Sequence, residues 1–176
     1  MQIDQKTFNA LSNLSRFSDI GIVTGSGLEY IEEQLYLFFD KDSDLPLSRL
    51  HFFPCNGTKY YRFIDNKFEC LHNVDMISKI GNDCYRHILQ TIFSFQLIIS
   101  LKFNLPFTGT FFQYRGSMLN WCPIGRLAGE KERKAWVAVD KEHNIRKSYF
   151  EELKDEIKKK EFKVDVALGG STSFDI

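Results

Sequence analysis

The chain has 176 residues, 43% of them hydrophobic and 26% charged, which is ordinary globular composition and enough to bury one core or two small ones. Basic and acidic residues number 23 each, so the net charge is zero, against the basic surplus expected of a nucleic-acid binder. The N-terminal residues lack the apolar run of a signal peptide, and the most apolar stretch, 92–101, is too short to span a bilayer.

Phe8, Leu11 and Leu14 recur at helical spacing and predict a first helix over 5–16. A short apolar strand over 19–23 runs into Thr24-Gly25-Ser26-Gly27, and Leu28, Ile31 and Leu35 mark one face of the helix that follows. Strand, Gly/Ser/Thr turn and helix is the layout of an α/β phosphate site, although many such turns use Gly and Ser for geometry alone. The acidic run 40–44 imitates an Asp-x-Asp loop or half a calcium loop; no Gly-Thr and no suitably spaced Glu follow, and the expectation is a solvated loop. Residues 50–53 form a strand ending at Pro54-Cys55-Asn56-Gly57, a turn signal. Strands over 60–64 and 67–71 pair around Asp65-Asn66.

A long helix is expected over 74–102, stopped at Asn104-Leu105-Pro106. Strands follow over 110–114 and 118–121, then a Pro-Ile-Gly-Arg turn and a helix over 130–141. Asn144 is the expected cap of a helix over 145–160, whose Ile145, Tyr149, Leu153 and Ile157 line one face. Phe162, Val164 and Val166 alternate as a strand, Gly169-Gly170 breaks it, and a last strand lies in 171–176. The first part has the order of a parallel α/β unit, and the middle that of an antiparallel sheet covered by helices. Cys55, Cys70, Cys84 and Cys122 show neither Cys-x-x-Cys nor zinc-ligand spacing, so free thiols are expected.

Arg115 at a strand end, Arg126 in a turn and Arg133 in the first turns of a helix carry the clearest chemical signal. A guanidinium fork matches a phosphate, and three converging would make a clamp. From spacing alone, three solvated surface arginines are the commoner arrangement, since most arginines are exposed.

Gly109, Thr110, Phe111, Arg115, Met118, Leu119, Asn120, Pro123 to Arg126 and Glu132-Arg133 together resemble the eukaryotic-type phosphomannomutases of the haloacid dehalogenase superfamily. Gly25-Ser26, Glu33-Gln34-Leu35, Phe53-Pro54 with Asn56-Gly57, Asn144-Ile145-Arg146, and Gly169-Gly170 with Ser173-Phe174-Asp175 extend the likeness over nearly the whole chain. The resemblance implies an α/β fold: a partial Rossmann-like haloacid dehalogenase core over 1–66, an inserted α+β cap over 67–168 and a return to the core over 169–176.

It also implies the interconversion of mannose 6-phosphate and mannose 1-phosphate for GDP-mannose synthesis, in the cytoplasm, through an aspartyl-phosphate. Magnesium and a mannose or glucose 1,6-bisphosphate activator would assist. The implied partners are a hexose phosphate and a second copy bound through the cap, with no nucleic acid and no membrane. Arg115, Arg126 and Arg133 would bind the distal phosphate, Ser173 and Asp175 the sugar, and Ser26 or Thr24 the transferring phosphoryl group.

The chain departs from the family at Thr24, where Gly is common, and at Thr108, where Arg is common. The Asp-x-Asp-Gly-Thr motif of the nucleophile and general acid is not in these 176 residues, nor are the family's later lysine and magnesium-ligand acids. The expectation is a chain truncated at both ends and inactive alone, with no catalytic or metal residue of its own. A non-catalytic sugar-phosphate-binding or dimerising relative and a sugar-phosphate phosphatase are the alternatives.

Overall fold

The computed structural model describes residues 3–39 and 45–176, so the acidic run at 40–44 lies outside the described residues. The chain divides into two compact units, Met1–Val74 and Asp75–Ile176.

In the first unit, α1 (Gln5–Ser15) starts where Asp4 Oδ1 accepts the Thr7 N–H at 2.7 Å. Strand β1 (Ile20–Val23) leads to α2 (Leu28–Gln34) and a 3-10 turn, Tyr36–Phe39. Strands β2 (Leu50–Phe53), β3 (Lys59–Ile64) and β4 (Lys67–Asn73) complete a four-stranded sheet in sequence order. β1 and β2 are parallel, and the other neighbours are antiparallel. Asp65 and Asn66, with φ of 49° and 60°, turn the β3–β4 hairpin in the left-handed conformation that a two-residue loop requires.

The expected boundary after residue 66 shifts to Val74 because β4 belongs to this sheet. Its Phe68 ring packs 5.3 Å from Phe39, 5.2 Å from Phe52 and 5.1 Å from Phe63, so cutting before β4 would divide an aromatic core.

The second unit opens with α3 (Met76–Ile80) and α4 (Asn82–Lys102). The single helix expected over 74–102 is therefore two. Gly81, at φ +83°, ends one and starts the other, in a conformation glycine adopts without steric cost. Strands β5 (Phe112–Tyr114) and β6 (Leu119–Trp121) follow, then α5 (Glu130–His143), α6 (Ile145–Lys159), β7 (Ala167–Gly169) and β8 (Ser173–Asp175). The sheet order is β5-β6-β8-β7, antiparallel throughout.

β8 thus pairs with β6 of the second unit, where a return to the first unit was expected. The strand expected over 162–166 is not formed. Phe162, Val164 and Val166 pack against the core, but the ladder to β8 begins only at Ala167. Asn144 is left-handed at φ 52° and makes no side-chain cap to α6. Asp140 does that work, accepting the Arg146 N–H and Nε–H at 2.7 Å each.

Strand alternation gives the second sheet two unlike faces. One carries Phe112, Trp121 and Phe174, stacked at 6.5 and 4.5 Å and covered by Phe95 of α4 and Tyr149 of α6. Gln96 fixes the Trp121 indole, accepting its N–H at 2.8 Å and donating to the Pro123 carbonyl at 2.9 Å. The opposite face carries Gln113, Asn120, Ser173 and Asp175.

β1 stands at an edge of the first sheet and ends on Val23, which is 67% exposed, whereas β6 lies between two partners with all three residues buried. Amide exchange is expected to be faster in β1 than in β6. Equal protection by hydrogen-exchange mass spectrometry would contradict this account of the two sheets.

Candidate functional site

The polar face of the second sheet gathers most of the residues singled out in the sequence. Asn120 lies opposite Gln113 on one side and Asp175 on the other. Leu119 and Ile176 exchange both backbone hydrogen bonds, at 2.9 Å each, which makes Asn120 and Asp175 the next, non-hydrogen-bonded pair of the ladder. Side chains come closest in such pairs, and Asn120 Nδ2 donates to Asp175 Oδ1 at 2.7 Å. Asn120 Oδ1 accepts from Arg126 Nη1 at 2.9 Å. Arg115 Nη2 donates to Gln113 Oε1 at 3.3 Å.

Arg126 is delivered by a turn packed backbone against backbone. The Thr108 N–H and hydroxyl both donate to the Ile124 carbonyl at 3.0 Å, and the Arg126 N–H donates to the Thr110 carbonyl at 3.2 Å. Gly125, at φ +88°, lies so close to Gly109 that any side chain there would collide with its backbone.

Arg133 plays a different part. Its guanidinium donates to the Ala128 carbonyl at 2.9 Å, the Arg126 carbonyl at 3.0 Å and the Thr172 hydroxyl at 3.1 Å. It ties the start of α5 to the turn carrying Arg126 and to the turn before Ser173. Thr172 Oγ1 lies 3.4 Å from Ser173 Oγ. Arg146 supports the same turn through the Gly170 carbonyl at 2.9 Å. A side chain at Gly169 would press on the Asp175 carboxylate at 3.0 to 3.2 Å.

In the first unit, the turns after β1 and β2 interlock. Thr24 donates its N–H to the Phe53 carbonyl at 3.1 Å, Cys55 donates to the Ser26 carbonyl at 2.9 Å, and Asn56 donates to the Thr24 carbonyl at 2.8 Å. Thr24 Oγ1 accepts the Ser26 N–H at 3.1 Å, so this hydroxyl already braces its own turn. These turns follow the carboxyl ends of the two parallel strands, where α/β sheets bind ligands. Among the described residues, no three His, Cys, Asp or Glu side chains converge as a metal site. Nor is any helix among them long and apolar enough to cross a membrane.

The structure thus links Arg126, Asn120 and Asp175 directly, joins Arg133 to Ser173 through Thr172, and puts Arg115 on the same sheet face. Thr24 and Ser26 belong to the other unit. Gln113, Asn120 and Thr172 were not singled out as site residues. The signal for Asn120 was a polar residue between two strand hydrophobics, Leu119 and Trp121.

The family model for eukaryotic phosphomannomutase matches residues 7–176. The chain belongs to that family. It is 33% identical to a probable phosphomannomutase of Caenorhabditis elegans over 159 residues, covering 89% of this chain and 58% of that protein. It is 32% identical to phosphomannomutase 1 of Homo sapiens, covering 99% of this chain and 62% of that one. The chain therefore spans less than two thirds of the length of these phosphomannomutases. Among solved structures, Plasmodium falciparum IMP-nucleotidase matches with a TM-score of 0.64 at 12% identity, covering 98% of this chain and 47% of that one. That likeness concerns the fold alone and agrees with the haloacid dehalogenase-type α/β class expected from the sequence.

Behind the β5–β6 hairpin, Asp75 caps α3 by accepting the Ser78 N–H at 2.7 Å and also accepts the Tyr114 hydroxyl at 3.0 Å. The Ser78 hydrogen bonds, then that of Tyr114, hold the Asp75 carboxyl below its usual range. Burial, then Asp75, pushes the Tyr114 phenol up. Because the Asp75 pKa is depressed on folding, its stabilisation is present above the usual carboxylate range and lost as pH falls through the lower folded value. Acid denaturation of Asp75→Asn should therefore lack part of the wild-type destabilisation that begins near about pH 4. Superimposable acid profiles would refute this role.

Proposed function

We propose that these 176 residues form the sugar-phosphate-recognising part of a phosphomannomutase, which interconverts mannose 6-phosphate and mannose 1-phosphate for GDP-mannose synthesis. The observation that carries the reading is the hydrogen-bonded chain from Arg126 through Asn120 to Asp175 on one sheet face. A guanidinium and a carboxylate on one face supply opposite chemistries for one ligand. Arg126 and Arg115 offer forks of donors to the distal phosphate, and Arg133 fixes the turn that presents Arg126. The Asp175 carboxylate can accept two sugar hydroxyls, with Ser173 beside it as donor or acceptor. A ligand lacking those hydroxyls would leave the carboxylate without them, which is a strong basis for discrimination.

In the first unit, Ser26 is the better candidate for the transferring phosphoryl group, since Thr24 Oγ1 holds the Ser26 N–H. The aspartyl-phosphate chemistry needs an Asp-x-Asp-Gly-Thr motif that these residues do not contain, so the chain alone binds without turnover. Magnesium belongs to the family's reaction, as does a hexose 1,6-bisphosphate activator. Among the described residues, no three His, Cys, Asp or Glu side chains come together to hold the metal. A second reading, a non-catalytic binding protein, draws on the same observation, since the Arg126–Asn120–Asp175 chain binds without needing a catalytic residue. Both readings are of a cytoplasmic protein.

Calorimetry with mannose 1-phosphate should give at least about a tenfold loss of affinity in Arg126→Ala, or about 1.4 kcal/mol. No mutase or phosphatase turnover should accompany binding. Unaltered affinity in the mutant would reject the phosphate assignment, and turnover would mean a nucleophile lies within these residues.

The reading includes a homodimer through the second unit. Its support is an exposed apolar stripe on α4, with Phe93 at 50%, Leu97 at 59% and Leu101 at 77% exposure, one helical turn apart. Leu97→Asp is expected to convert a dimer to a monomer in sedimentation velocity. A wild type that is already monomeric would sink the proposal.

A further inference from the structure

We propose that Asn120 is the positioning residue of the recognition site. Its neutral amide holds Arg126 and Asp175 in one fixed geometry without bringing a charge of its own to either. The ligand's identity rests on the sugar-phosphate reading; the positioning does not.

Asn120 is 3% exposed, and a buried amide is costly unless its polar atoms are partnered. Its Oδ1 accepts from Arg126 at 2.9 Å, and its Nδ2 donates to Asp175 at 2.7 Å and to the Phe174 carbonyl at 3.3 Å. The orientation of the amide is fixed by chemistry. A guanidinium can only donate and an ionised carboxylate can only accept, so Oδ1 must face Arg126 and Nδ2 must face Asp175. The backbone is anchored too, since Asn120 lies in the central strand with Gln113 and Asp175 on either side.

Few side chains could do this. A carboxylate at 120 would pair ionically with Arg126, compete with an incoming phosphate and repel Asp175. An aliphatic side chain would remove the bridge altogether. The short amide meets a cation at one end and an anion at the other while neutralising neither. It sets the spacing between the group that takes phosphate and the group that takes hydroxyls, so less reordering is needed on binding.

The test compares the 176-residue chain with Asn120→Ala and Asn120→Asp, using sulfate, a probe of constant charge, and mannose 1-phosphate. Asn120→Ala should lower sulfate affinity roughly ten- to hundredfold with its circular dichroism unchanged. Asn120→Asp should lose as much at neutral pH. The gap to wild type should narrow as pH falls, because the protonated carboxyl again accepts from Arg126 and donates to Asp175. Loss confined to Asn120→Asp would indicate simple charge repulsion and overturn positioning, as would a pH-independent loss in that variant.

A measurement without ligand guards against misfolding and against weak binding. Rotation of the Arg126 guanidinium, followed by NMR, should be slowed in the wild type and released in Asn120→Ala. Unchanged rotation overturns the proposal. Release of Arg126 in a chain that does not bind mannose 1-phosphate would uphold the positioning and reject the sugar-phosphate reading.

Discussion

One register, that of β6 against β8, fixes both halves of the second unit. Trp121 opposite Phe174 builds the aromatic core, and Asn120 opposite Asp175 builds the polar face. Because side chains alternate along a strand, a slip of one residue would turn Trp121 out and Asn120 in. Core and site therefore cannot be assembled separately. Burial of Phe174, worth roughly 1.5–3 kcal/mol, together with that of Trp121, is what holds the Asn120–Asp175 contact in place.

Around that register the unit is braced where its chain changes direction. Gly125 against Gly109 holds the turn bearing Arg126. The Asp140–Arg146 ion pair closes the corner between α5 and α6, and Arg146 extends to Gly170. Arg133 joins three segments through two carbonyls and a hydroxyl. An arginine bound this way acts through the position of the segments it joins, among them the turn that bears Arg126. The family resemblance marks Arg115, Arg126 and Arg133 alike, and their hydrogen-bond partners differ: Gln113 for Arg115, Asn120 for Arg126, and two carbonyls and a hydroxyl for Arg133.

Much of the architecture was legible in the sequence because it rests on local signals. Helical spacing gave α1 and α6, and the turns at Asp65-Asn66 and Pro54 to Gly57 bounded β2, β3 and β4. The errors lie where long-range pairing decides. Ile77, Ile80 and Tyr85 keep a helical rhythm through Gly81, which hides the break between α3 and α4. Phe162, Val164 and Val166 alternate like a strand but lack a ladder. Assignment of β4 to the first unit depends on where Phe68 packs, and that of β8 to the second on where Phe174 stacks, neither of which periodicity encodes. The three arginines stood out by residue type and position, whereas Ser173 and Asp175 were picked out by resemblance alone. Asn120, Gln113 and Thr172 acquire their parts only from cross-strand register and the folding back of the chain.

The central claim is that the polar face of the β5-β6-β8-β7 sheet recognises both ends of a sugar phosphate. The most direct measurement is a crystal structure of the chain with mannose 1-phosphate. The account predicts phosphate oxygens within hydrogen-bonding distance of Arg126 and Arg115, and sugar hydroxyls on Asp175. A ligand bound away from this face, or one turned so that its phosphate lies against Asp175, would contradict it.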